Sequence, residues 1–98
     1  MNIQQTKQEN TLTIAVEGRL YTLTAPELEE TLKNSLEGVQ ELIFDLSALD
    51  YISSACLRVL LSAQKTMNNQ GSMKVIHANE IVLEIFEVTG FCDILTIE

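Results

Sequence analysis

The spacing of apolar residues changes twice in the first half of the chain. Thr11-Leu12-Thr13-Ile14-Ala15-Val16-Glu17 alternates with period two, placing Leu12, Ile14 and Val16 on one face, and predicts a half-buried strand that stops at Gly18. A weaker alternation over Ile3 to Lys7 predicts a short edge strand, and Gln8-Glu9-Asn10 between them a turn. From Ala25 to Leu36 the period becomes helical, with Leu28, Leu32 and Leu36 in one stripe and Gly38 as the stop. Thr24-Ala25-Pro26-Glu27 is a start signal: Thr24 as cap, Glu27 three residues on, and Pro26 in the first turn where its missing N–H costs nothing.

Val39 to Leu46 predicts the next strand, and the run Leu42-Ile43-Phe44 suggests cover on both faces. After a short connection, Ala55 to Asn69 carries Cys56, Val59, Leu60, Ala63 and Met67 at helical spacing, with Leu57, Leu61 and Gln64 beside them. So much apolar circumference predicts the most buried helix of the molecule, ending at Asn68-Asn69-Gln70-Gly71. Met73 to Ala78 then predicts a strand, Ile81 to Val88 a short helix closed by Gly90, and Ile94 to Ile97 a last strand. The order β-β-α-β-α-β-α-β predicts an α/β fold. Right-handed crossovers would build a mixed sheet of four to five strands, its first two forming an antiparallel hairpin at the edge.

Ninety-eight residues make one domain, 1–98. Six basic against 14 acidic residues leave a net charge of −8, which disfavours nucleic acid and anionic membrane surfaces and suits a basic patch on a protein partner. No leader pattern and no bilayer-length apolar run is visible, so a cytoplasmic protein with reduced cysteines, Cys56 and Cys92, is expected. Two separated cysteines and one histidine assemble no metal signature. His77, at the end of a predicted strand, is read as a partly buried structural residue. Asp45 and Asp50 are read as turn or cap residues. Without a base for Ser53 or Ser54, a glycine-rich phosphate loop or paired acids, no enzyme and no cofactor is expected.

One segment stands apart: Asp45-Leu46-Ser47-Ala48-Leu49-Asp50-Tyr51-Ile52-Ser53-Ser54-Ala55-Cys56-Leu57. Two serines sit where a connection gives way to a helix. A helix start invites a serine cap, and it is also where free N–H groups and the dipole favour a phosphate. This segment resembles the signature of the STAS domain family of anti-sigma factor antagonists. That pattern is Asp-Leu-Ser, a few residues, an aromatic, an apolar residue, Asp or Ser, a phosphorylatable Ser or Thr, a small residue, Gly, Leu. The element order and Gly18-Arg19-Leu20 followed by Thr24-Ala25-Pro26 also match.

The resemblance implies a phospho-regulated partner-switching protein of bacteria that acts on transcription. Unphosphorylated, it binds an anti-sigma factor that is also a serine kinase. Phosphorylation releases it, and a PP2C-type phosphatase restores it. The acceptor is Ser54, with Ser53 as cap or orienting residue. Tyr21, Leu23 and Thr24 fall in the loop expected beside it, and Asp50, Cys56 and Arg58 complete the expected partner-binding set. The family usually has Gly where Cys56 stands, which allows close approach of a partner or of neighbouring backbone, so that a thiol would add bulk there, and often Asp where Tyr21 stands. A monomer is expected. A second branch of the family implies the alternative: the STAS subunit of a lipid-transport ABC system, binding the ATPase without phosphorylation.

Overall fold

Hairpin chemistry sets the edge of the sheet. In a computed structural model that describes residues 2–20 and 25–98, strands β1 (Asn2–Gln8) and β2 (Thr11–Leu20) pair antiparallel, with Gln8 opposite Thr11 across the turn at Glu9 and Asn10. Glu9 takes a left-handed φ of 57° to close that turn. Strand β3 (Glu41–Asp45) joins the other side of β2 in parallel, and β5 (Ser72–Ile76) joins β3 in parallel. Strand β4 (Leu49–Ile52) resumes pairing with β2 beyond β3, so one long strand serves two short ones in turn. The sheet is therefore mixed and five-stranded, within the predicted four to five, but its fifth member is β4 and not the predicted last strand.

Gly18 makes that double use possible. It does not end β2: its φ of +88° sits beside a register shift between Gly18 and Arg19, and its N–H donates to the Ala48 carbonyl at 2.9 Å. A bulge of this kind bends the strand and re-aims it. β4 itself left no alternation to read, because Leu49 and Ile52 are buried while Asp50 and Tyr51 between them are exposed. The sequence shows only a connection there.

The helices follow their predicted spans closely: α1 (Ala25–Ser35), α2 (Ser54–Gln70) and α3 (Glu80–Val88). α2 buries seven residues against three in α1 and two in α3, so it is the most buried helix as expected. Leu12, Ile14 and Val16 from β2, Leu42 and Phe44 from β3, and Met73 and Val75 from β5 share one core with Leu28, Leu32, Leu57, Leu60 and Met67. β3 alternates: Leu42 and Phe44 are fully buried, but Ile43 is only half-buried, so the expected cover on both faces is incomplete.

The junctions explain themselves. Gln70 donates to the carbonyls of Leu36 (2.7 Å) and Val39 (2.6 Å), satisfying acceptors near the end of α1 from the end of α2. Gly71 must lack a side chain, because a Cβ there would overlap the Gln40 carbonyl. α3 starts on a cap absent from the sequence reading, Asn79, which accepts from Val82 N–H at 2.8 Å and donates to the Leu49 carbonyl at 2.9 Å. The predicted last strand shrinks to one bridge, Val75 with Ile97. A 3-10 turn at Phe91–Asp93 draws the N–H groups of Ile94 and Leu95 back to Phe91, leaving only Thr96 to Glu98 to meet β5.

His77 differs from expectation. It is exposed and left-handed (φ 61°), because the chain leaves the sheet after Ile76 and turns there toward α3. Cys92 is likewise exposed and fills no core space.

Candidate functional site

Asp45 opens the segment at the end of β3. Its Oδ1 accepts the Ser47 N–H at 3.0 Å, a side-chain-closed turn, while Leu46 N–H donates to the Ile76 carbonyl at 3.0 Å. Leu49 N–H then donates to the Leu46 carbonyl at 3.0 Å, and β4 carries the chain to the start of α2. Asp45 is thus a turn residue, as read from the sequence. Asp50 lies within β4 rather than in a turn, and is exposed.

The two serines separate in role. Ser53 has extended backbone (φ −86°, ψ 165°), is 9% exposed, and its Oγ accepts the Cys56 N–H at 3.4 Å. Its carbonyl accepts Leu57 N–H at 3.0 Å, the first intrahelical bond. Ser53 is the cap. Ser54 is the first helical residue and is exposed, with its hydroxyl carrier beside the N–H groups that a helix start leaves without intrahelical acceptors. α1 and α3 each carry a Glu in the first turn, Glu27 and Glu80, whereas α2 carries no acid there. The positive end of the α2 dipole is left uncompensated by its own side chains.

Arg58 lies four residues after Ser54, on the same side of the helix, and is exposed. It lines a groove of about 300 Å³ between α1 and α2, together with Ala25, Pro26, Glu29 and Ala55. Tyr51, on β4, is 41% exposed. Cys56 is different. It is completely buried, because the helix turn that exposes Ser54 points Cys56 into the core with Leu57 and Leu60. It offers no bulk to a partner, so it leaves the surface set. Tyr21, Leu23 and Thr24 lie outside the described residues. Among the described residues no cluster of His, Cys, Asp or Glu could hold a metal, and no helix is long and apolar enough to cross a membrane.

The model of the STAS domain family matches residues 2–98. BtrV of Bordetella bronchiseptica, named as a candidate anti-sigma factor antagonist, is 32% identical over 99% of this chain and 85% of its own length. The anti-sigma-B factor antagonist of Staphylococcus aureus is 28% identical over 97% of this chain and 90% of its own. Among solved structures, the anti-sigma factor antagonist SpoIIAA in its unphosphorylated form superposes with a TM-score of 0.86 at 14% identity, covering 99% of this chain and 88% of that one. The phosphorylated form of SpoIIAA, described as a Bacillus cell fate determinant, gives 0.77 at 13% identity over 99% and 91%. With a family model matching almost end to end and a relative at 32% identity over nearly the whole chain, this protein belongs to the STAS domain family.

Proposed function

We propose that the protein is an anti-sigma factor antagonist switched by phosphorylation of Ser54. In this reading it is a cytoplasmic regulatory binding protein, not an enzyme. Its partner is an anti-sigma factor that is also a serine kinase, and a PP2C-type phosphatase reverses the modification. The observation that carries the reading is the division of labour at the α2 start: Ser53 buried as cap, Ser54 exposed beside it at an acid-free helix N-terminus. Relatives named as anti-sigma factor antagonists, and a fold neighbour known in a phosphorylated form, support it.

The switch is local. Phosphate at Ser54 brings about −1.5 to −2 charges and a tetrahedral group to a surface that was a neutral hydroxyl. In the free protein, helix N–H groups and Arg58, one turn on, stabilise it. In the complex the same group is pressed against a partner, with Asp50 adding like charge. A penalty of roughly 3–4 kcal/mol would weaken binding 10²–10³-fold. Tyr21, Leu23 and Thr24 remain part of the proposed partner-binding set.

Incubation with ATP and each serine kinase of the same organism, followed by intact and tandem mass spectrometry, tests this. Phosphate on Ser54, lost in Ser54→Ala, is the expected result. Ser54→Ala should still bind the kinase but never be released by ATP. Phosphate on Ser53 would move the site by one residue. An absence of phosphate with every kinase, together with tight binding to a transporter ATPase, would establish the ABC-system reading instead.

A further inference from the structure

Five large apolar side chains are strongly exposed among the described residues, and four of them, Ile81, Leu83, Val88 and Ile94, lie in α3 or just after it. α3 needs only Val82 and Phe86, both fully buried, to anchor it to the core. At about 100° per residue, Ile81, Ile85 and Val88 fall within an arc of roughly 60° beside that anchor. Ile85 is half-buried at the border, while Ile81 is 57% and Val88 76% exposed. The helix therefore carries a second apolar stripe that the fold does not cover. Apolar groups gathered in this way mark a contact surface more often than scattered ones do.

The charges around the stripe select its occupant. Glu80, Glu84 and Glu87 are exposed along the adjoining solvent arc. None of them is in an ion pair: the salt bridges among the described residues join Lys33 to Glu29 and Lys74 to Glu98. A second copy of the chain would bring three glutamates against three. An anionic bilayer would be repelled in the same way. A helix with an apolar stripe flanked by Lys or Arg satisfies both features. We propose that the outward face of α3 is a docking surface for a basic amphipathic helix of a partner protein, seated on Ile81, Ile85 and Val88 and paired with Glu80 and Glu84. The Asn79 bond to the Leu49 carbonyl fixes the start of α3 against β4, so the surface is presented on a tethered element. This surface requires nothing of Ser54 and is separate from the phosphorylation reading.

A fluorescein-labelled peptide of Leu and Lys at helical spacing, about 18 residues so that it can hold a helix, is the probe. The same peptide with Glu in place of Lys is the control. The full chain should bind the Leu/Lys peptide and not the Leu/Glu peptide. Ile81→Gln with Val88→Gln leaves the net charge unchanged and should weaken binding at least about tenfold. Glu80→Gln with Glu84→Gln should weaken it similarly and flatten its salt dependence. Amide shifts on titration should centre on α3. All four positions are exposed, so circular dichroism should show the wild-type fold. Equal affinity of the Ile81→Gln, Val88→Gln variant would overturn the proposal, because the peptide would then be reading general acidity. So would a dimer in sedimentation that this variant abolishes, or binding to phosphatidylglycerol vesicles that it abolishes.

Discussion

At the residue scale, two neighbouring serines have opposite surroundings, and stability separates them. Ser53→Ala removes the acceptor for Cys56 N–H and should cost about 0.5–2 kcal/mol in urea denaturation. Ser54→Ala, at an exposed first helical position with no capping bond to lose, should leave the midpoint within experimental scatter. Two equal losses would mean that Ser54 shares the capping role. Cys56 teaches a different lesson. Its place in the stripe Cys56, Val59, Leu60, Ala63, Met67 already put it on the inward face, whereas comparison with the family's glycine placed it at the surface. Periodicity was the better guide, since the residue is fully buried. Cys56→Gly should therefore not tighten partner binding. It should lower stability by about 1–3 kcal/mol, through glycine in a helix and the space left by the thiol, with the partner Kd unchanged. A tighter Kd would show that helix position matters to the partner through the backbone.

At the element scale, legibility followed the strength of the periodic signal. All three helices were readable because each has a stripe of at least two buried turns and a stop residue. β2 was readable because it alternates, and β3 because of its apolar run Leu42-Ile43-Phe44, although only Leu42 and Phe44 of that run are fully buried. β4 was not, since the pairing that makes it a strand is supplied by β2 beyond the Gly18 bulge, and nothing in Leu49-Asp50-Tyr51-Ile52 records that. The last strand was over-read, because the apolar run Ile94 to Ile97 does not reveal that its first N–H groups turn back to Phe91. The α2 start was visible from its serines, while the cap of α3 was within reach: Asn79 before Glu80 and an apolar run is a helix-start pattern. That cap makes a sharp prediction. Asn79→Ala removes both the Val82 bond and the tie to the Leu49 carbonyl, and should cost about 1–2 kcal/mol. Asn79→Asp keeps the acceptor but cannot donate, so it should fall between. Hydrogen exchange should then quicken in β4 as well as in α3 for the alanine variant. Faster exchange confined to α3 would show that the side-chain tie does not couple the two elements.

At the scale of the whole molecule, the net charge of −8 and the proposed phosphorylation at Ser54 act over different distances. Phosphate adds at most about two charges, roughly a quarter of what the surface already carries. A change that small cannot turn a steered encounter into repulsion of the whole molecule. The proposed switch would have to act through what is desolvated around Ser54. The two effects respond differently to salt. Steering by the acidic surface is screened beyond about 10 Å at 0.1 M ionic strength, while charges enclosed in an interface are screened much less. The association rate of the unphosphorylated protein with the proposed anti-sigma partner should fall about tenfold between 0.05 and 0.5 M salt. The ratio of Kd values for the phosphorylated and unphosphorylated forms should change by less than about threefold over the same range. Stopped-flow association and calorimetry at the two salt concentrations measure both quantities. A ratio that collapses toward one in high salt would mean that the phosphate works through the solvent from outside the interface. The place of Ser54 would then be at its rim rather than its centre.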